Sequence, residues 1–497
     1  MEKFENQKIK ALLDLYKPLY ALNHASALLG WDTEVYMPPA GVTARGIADS
    51  QLSLLYQKTF LSGSFRQALE DAGKQKDLND YESGVVRVLN RESKVMELPP
   101  RLIEEESLVS TTGFKAWEAA KEKSDFKIFQ PYLEKIVEID REKADKLGYS
   151  GSPYNALLDL YEEGVTVNDI DAIFSELIPK LKTILGKVVD AGVFTKESKL
   201  SSIAYDVSAA KAVNEEIVKI MIGPYRDRFR LDVSTHPFTT DMDVNDARST
   251  TRYEGIDFKS TLYSTMHESG HAIYMLQTDP VLDITPLSGG ASTGIHESQS
   301  RFFENVIGRS REFTHAITPM LKGKFSFLNG YSEDDIYFYF NQVKPGFIRV
   351  DADELTYNFH IALRYDLERQ LMEGKANVNE LPELWNSKME EYLGIRPRND
   401  GEGVLQDVHW SSGLGYFPTY SLGNIVAALI GNKIRTEYGN LNSDVSSANF
   451  IPLKAWLGEK IHKFSSVYPP KELLRRSFGE GYNPGYLIDY LEDKFTK

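Results

Sequence analysis

Along most of the chain the hydrophobic positions recur at helical spacing. At the N-terminus Ile9, Leu12, Leu13, Tyr16, Leu19, Tyr20 and Leu22 keep close to a 3.6-residue period, which predicts a helix over roughly residues 2–30. Pro18 lies inside the pattern and predicts a kink or the first turn of a second helix. The stretch from Trp31 to Gly41, with its paired Pro38-Pro39, ends the run. His24, near that break, reads as a packing histidine. From Thr43 to about Lys187 successive amphipathic helices follow, punctuated at Gly63, Pro99-Pro100, Gly148-Tyr-Ser-Gly-Ser-Pro153 and Gly164. Their Lys and Glu residues form solvated faces, and no repeat marks a solenoid.

The period changes around Phe229–Thr235, where apolar and polar residues alternate, and again between Thr239 and Tyr253. Two or three short strands in a small antiparallel sheet are predicted here. An edge strand beside a cleft can align a peptide by main-chain hydrogen bonds. His236, Asp246 and Arg248 fall in this region, and an ion pair is the default expectation for Arg248 with Asp246. Helices then resume past Pro319 and Pro345, and Phe347–His360 reads as a helix with Arg349 near its start. Near Gly401 regularity gives way to a glycine- and aromatic-rich stretch, Glu402–Tyr420, of the kind that suits a binding loop better than core packing. Beyond Ser421 the helical pattern returns and no further chemistry is visible.

Composition narrows the class. The 497 residues are 42% hydrophobic and 26% charged, with no low-complexity linker, so one large helical unit with lobes about a cleft is expected. The expected division is an N-terminal helical lobe over about residues 1–190 and a catalytic lobe over about 191–497. A net charge of −15 without a basic stripe excludes a general nucleic-acid binder. The chain has no cysteine, which rules out disulfides and cysteine zinc sites and suits a reducing cytoplasm. The N-terminal Met-Glu-Lys-Phe-Glu-Asn-Gln-Lys has no apolar core of a signal peptide, and Ile425–Ile430 is far short of a membrane span. A cytoplasmic protein without a membrane partner is expected.

The chemistry concentrates in Thr261–Leu276, which contains His267-Glu268-Ser-Gly270-His271 within a proline-free helical pattern. Residues four apart share a helix face, so both imidazoles can point at one ion. Glu268, one residue round from the first histidine, is placed to take the proton from an attacking water. This is the zincin arrangement. The alternative is a surface helix carrying a solvated His/Glu pair. Gly270 argues against it, because a poor helix former beside the ligands lets another backbone approach closely. Without cysteine the third ligand must be a further His, Asp or Glu. The next candidates stand in Gly294-Ile-His296-Glu297-Ser-Gln299-Ser-Arg-Phe-Phe-Glu304, after a loop at Ser288-Gly-Gly290, in a second helix that Ser292 or Thr293 can cap. Adjacent helical residues diverge by about 100°, so only one of His296 and Glu297 can face the ion well, and Glu304 lies two turns further on. Glu297 is the favoured ligand. Zinc is the expected ion, and cobalt or manganese suit the same donors.

His-Glu-Ser-Gly-His followed by His-Glu-Ser-Gln resembles the carboxypeptidase Taq family of zinc-dependent metallocarboxypeptidases. The resemblance extends to His236-Pro-Phe238, Asp246-Ala-Arg248-Ser-Thr250, Ile348-Arg349-Val-Asp-Ala352-Asp353 and Gly403-Val-Leu-Gln406-Asp407-Val-His409-Trp410. It implies a mainly α, saddle-like zincin fold with a deep groove, a homodimer, and release of C-terminal residues from peptides. Recognition of a free carboxylate favours arginine, whose planar fork binds both oxygens, and Arg349 is the candidate, the alternative being a buried ion pair with Asp351, Asp353 or Glu354. His409 and His236 are further candidates for the carboxylate, and Arg248 for shaping the groove. Tyr420 or His409 would stabilise the oxyanion, while Tyr416 reads as part of an aromatic cluster. Two rivals remain: an oligoendopeptidase on a similar scaffold, which would also cleave blocked peptides, and a zinc-stabilised helical binding protein without catalysis.

Overall fold

A computed structural model describes residues 3–497, and Glu2, where the first predicted helix begins, lies outside them. The fold is mainly α, with a single three-stranded sheet among the described residues. The chain divides into two compact units built from interleaved segments. One comprises the segment ending at Glu97 together with Lys199–Phe340 and Ile430–Gly481. The other comprises Leu98–Ser198, Asn341–Leu429 and Tyr482–Lys497. A cut near residue 190 therefore marks where the chain re-enters the first unit, and the first helices belong with the segment that carries the His267 motif. No helix among the described residues is long and apolar enough to cross a membrane.

In the first unit the opening helix, Gln7–Val35, starts where the Asn6 side chain accepts from Lys8 N–H. It continues through Pro18 and past Trp31, stopping just before Pro38-Pro39. Ile9, Leu12 and Leu19 are buried with Leu69, Val85 and Leu89 in one cluster, each full burial contributing about 1.5–3 kcal/mol. His24 Nδ1 lies 3.1 Å from the carbonyl of Met242, the packing role its position suggested.

The sheet consists of β1 (Phe229–Val233), β2 (Thr239–Asp243) and β3 (Asp246–Thr251) in the order β1-β3-β2. It is mixed, not wholly antiparallel as expected: β2 pairs antiparallel with β3, but β1 pairs parallel with it. The reason is the link Ser234–Phe238, which passes over the end of β3. Five residues reach up to roughly 17 Å, enough to cross two strand spacings of about 4.8 Å, so β1 and β2 end on opposite sides of β3. Ser234 Oγ supports the crossing by donating to the carbonyl of His236 at 2.6 Å.

The His267 helix, Phe258–Leu276, packs on this sheet and on the helix Val207–Met221. Leu262, Met266, Ile273 and Leu276 are all buried, so the apolar stripe faces the core. In the second unit the helix Tyr357–Met372 is buried almost all round, against Leu157, Leu177, Leu181 and Trp385. Arg349 does not open this helix. It sits in a short 3₁₀ turn, Arg349–Asp351, because Asp353 accepts from the N–H groups of Leu355 and Thr356 and starts the helix later.

Candidate metal centre and the Arg349 cluster

Four-residue spacing on one helix brings the rings of His267 and His271 to 5.0 Å between centroids. The Nε2 atoms of both lie 3.8 Å from the same oxygen, Glu297 Oε2. Among the described residues these three form a group whose ligand atoms all lie within 4.8 Å of one another. Bonds of about 2.0–2.2 Å to a four-coordinate ion put its ligand atoms roughly 3.4 Å apart, so two imidazoles and a carboxylate at this spacing fit a divalent metal.

Glu297 reaches this position because its helix, Thr293–Arg301, runs hard against the His267 helix. Ser292 caps it, accepting from Ile295 N–H at 3.1 Å. A methyl group at Gly270 would lie 2.6 Å from Ser300 Cα and 2.8 Å from the carbonyl of Gln299, so the close approach that glycine implied is real. His296 points elsewhere. Its ring packs on Tyr274, 4.6 Å between centroids, in space left by Gly290 at a φ of +79°, and burial lowers it to about 4. A π-helical segment, Phe302–Ile307, follows and carries Glu304.

Glu304 faces the opposite edge of His267 from the metal-facing nitrogen. Its Oε2 lies 2.9 Å from His267 Nδ1 and 3.2 Å from Arg301 Nη1, and its Oε1 accepts from Arg309 Nη2 at 3.2 Å. Burial opposes its charge, but Arg301, His267 and Arg309 hold its carboxyl well below the usual range. As an ionised acceptor at Nδ1, Glu304 fixes the proton there and turns the Nε2 lone pair toward the metal position. Burial, with His267 nearby, keeps His271 neutral well below the ordinary imidazole value. Arg301 Nε donates to Glu297 Oε1 at 2.7 Å, leaving Oε2 to the histidines.

Glu268 is buried beside this group, and that burial raises its carboxyl, against the pull of His267 and a hydrogen bond from Thr239. Thr239 Oγ1, on the edge strand β2, donates to Glu268 Oε2 at 2.6 Å. The sheet thus fixes the orientation of the carboxylate. A solvated surface pair is excluded by this enclosure. Neither Glu304 as a histidine-orienting acid nor Thr239 as a support of Glu268 was visible in the sequence, because their partners lie on separate elements.

Arg248 on β3 makes the expected pair with Asp246, bidentate at 2.8 and 2.6 Å. His236 is exposed in the link Ser234–Phe238.

The second unit gathers Arg349, His409 and Tyr420. Arg349 is 4% exposed, and its ion-pair partner is Asp407, not Asp351, Asp353 or Glu354. Its Nη1 donates to Tyr357 Oη at 2.9 Å, and its own N–H donates to Gln406 Oε1 at 2.9 Å. The other oxygen of Asp407 holds His409 Nδ1. Burial opposes the Asp407 charge, but His409, Arg349 and Arg364 keep it far below the usual carboxylate range. His409 Nε2 lies 3.3 Å from Tyr420 Oη. Tyr416 stacks on His409 and meets Tyr420 edge-on, an aromatic cluster as anticipated.

Residues 11–495 match the family described as carboxypeptidase Taq (M32) metallopeptidase. The chain is 46% identical to thermostable carboxypeptidase 1 of Pyrococcus furiosus and 37% identical to carboxypeptidase 1 of Bacillus subtilis, covering 98–99% of each chain in both pairs. A solved structure of Pyrococcus furiosus carboxypeptidase, described as Apo-Mg, superposes with a TM-score of 0.98 over 99% of this chain and 100% of that one. Metallocarboxypeptidase 1 of Trypanosoma cruzi, 35% identical, superposes at 0.93 over 99% and 100% of the two chains.

Proposed function

The chain belongs to the carboxypeptidase Taq (M32) metallopeptidase family, and on that footing we propose that His267, His271 and Glu297 hold its divalent ion, zinc, and that Glu268 is the general base. The protein is a metallocarboxypeptidase that releases C-terminal amino acids from peptides. The observation that carries the residue assignment is the direction of two imidazole Nε2 atoms onto one oxygen of Glu297 with Glu268 enclosed beside them.

A bound divalent ion supplies Lewis acidity to the scissile carbonyl and to water. The protein's own residues do the rest. Glu268 accepts the proton of the attacking water on its carboxylate and delivers it to the leaving amine nitrogen. Burial suits this: a carboxyl raised above its ordinary value binds the proton in transit more readily. Thr239 holds the carboxylate in one rotamer. To Arg349 we assign recognition of the free terminal carboxylate, with His409 and His236 as additional donors and Arg248 shaping the substrate groove. Tyr420 is assigned to the developing oxyanion. Cobalt or manganese would serve in the same donor set.

We also assign the chain a homodimeric state and a cytoplasmic location. Exposed Leu15, Leu28, Val42, Ile47, Leu54 and Leu55 on the first two helices favour self-association, and sedimentation velocity at micromolar concentration tests it. The cysteine-free composition suits a reducing compartment.

The activity test uses one peptide with a free and with an amidated C-terminus, followed by mass spectrometry with metal-loaded and chelated protein. Stepwise loss of C-terminal residues from the free form alone, abolished by chelation, is expected. Internal cleavage of both forms would point to an endopeptidase instead.

A further inference from the structure

The Arg349–Asp407 pair is backed by a group of buried polar atoms that the carboxypeptidase reaction does not use. Arg364 is completely buried, its guanidinium 4.3 Å from the Trp410 ring centre and 4.0 Å from that of Phe417. Its Nε donates to Glu368 Oε1 at 3.2 Å, but Nη1 and Nη2, with four N–H groups between them, have no partner. His360, one turn earlier on the same helix face, is 1% exposed, and neither ring nitrogen is paired. Gln406 Nε2 is likewise buried and unpaired, and its orientation is fixed because Oε1 accepts from Arg349 N–H. Arg364 and His360 both lie within electrostatic reach of Arg349 and Asp407.

The neighbouring acceptors are already occupied. Glu368 Oε1 also accepts from Trp410 Nε1 at 2.9 Å, and Oε2 accepts from Tyr154 Oη at 2.7 Å and Gly415 N–H at 2.9 Å. Asp407 serves Arg349 and His409. Burial keeps His360 neutral, lowered to about 3, so it offers one donor and one acceptor. The unpaired atoms are thus nearly all donors. A water molecule brings two donors of its own and would leave them without acceptors, whereas an anion brings acceptors only. A buried guanidinium with unmet N–H groups is also the most expensive of these atoms to leave unpaired.

We propose that Arg364, with His360 and Gln406, forms a buried binding site for a small monovalent anion of halide type behind the Arg349–Asp407 pair. The ring faces of Trp410 and Phe417 flank the guanidinium, and Arg364, His360 and Gln406 are all buried. It is distinct from the metal ligands and stands whether or not Arg349 binds substrate.

Crystals of the full chain grown with bromide in place of chloride, with data at the bromine absorption edge, test it directly. An anomalous peak within hydrogen-bonding distance of Arg364 Nη1 or Nη2 is expected. In solution, chloride added at constant ionic strength against methanesulfonate is expected to raise the unfolding midpoint by a few degrees and then saturate. Arg364→Met should abolish that saturable rise. Identical midpoints in the two salts, or ordered water without an anomalous peak, would overturn the proposal. Should Arg364→Met fail to fold, the bromide data on the natural chain still decide.

Discussion

At the candidate metal centre and in the Arg349 cluster alike, a buried carboxylate grips an imidazole at Nδ1 and an arginine at the same time. Glu304 does this for His267, Arg301 and Arg309, and Asp407 for His409 and Arg349. Both acids are held well below the ordinary range by those partners, against the effect of burial. What differs is the far side of the ring. His267 Nε2 faces His271 and Glu297, an electron-pair donor set for a metal. His409 Nε2 faces the phenol of Tyr420. Because Asp407 accepts from Nδ1–H, His409 Nε2 is left as an acceptor and the Tyr420 hydroxyl donates to it. The same carboxylate–imidazole unit therefore turns its lone pair to a metal position in one place and to a phenol in the other.

Substitutions separate the two roles, beginning with the largest effect. Glu268→Gln is expected to lower turnover by about 10²–10⁴-fold with metal content unchanged, measured by peptide hydrolysis beside elemental analysis. Full activity in the metal-loaded variant would remove Glu268 from the mechanism. In the other cluster, Arg349→Lys keeps the charge opposite Asp407 but loses the planar fork. A fall of about 10–100-fold in kcat/KM on free peptides, with metal affinity unaltered, is expected. If metal affinity fell with it, the two clusters would not be independent. The reverse pattern is expected for Glu304→Gln: metal affinity about 10–100-fold weaker in a chelator competition, because Nδ1 loses its charged acceptor.

Smaller effects fall on stability. Gly270→Ala would force the Glu297 helix outward and is expected to cost about 1–3 kcal/mol in denaturant titration, since the obstructing atoms are backbone. In the second unit Asp140 lies beneath the His409 loop and accepts from Leu414 N–H at 2.9 Å, and burial pushes its carboxyl up to about 7 despite Lys143. The unfolded chain titrates near 4, so the folded state holds the extra proton between about pH 4 and 7. Stability should therefore fall as pH rises through that window and level off above it, and Asp140→Asn should flatten that slope in thermal melts.

Much of the first cluster was legible in the sequence because its parts are local. His267, Glu268 and His271 lie within one helical turn and a half, Gly270 signals the approach of a second backbone, and Ser292 announces the start of the helix that carries Glu297. Periodicity likewise identified the helices, and alternation the strands. The second cluster was legible only as a set of candidates. Its acid, imidazole and phenol share the stretch Glu402–Tyr420 but its arginine comes from another, and the partner of Arg349 is a residue 58 positions away rather than a nearby acid. Glu304 stood in plain view as a rival ligand, yet its role depends on which edge of the His267 ring it meets.

The sequence by itself determined the element types, the faces that are buried, and the two histidines and one carboxylate suited to a divalent ion, all set by period, capping chemistry and residue identity. The tertiary structure alone decided the parallel pairing of β1 with β3, the interleaving of the two units, the support of Glu268 by Thr239, and the carboxylate behind each imidazole. These are choices between partners distant in the chain. They turn on which side chains come within about 3 Å after folding, and local spacing carries no record of that distance.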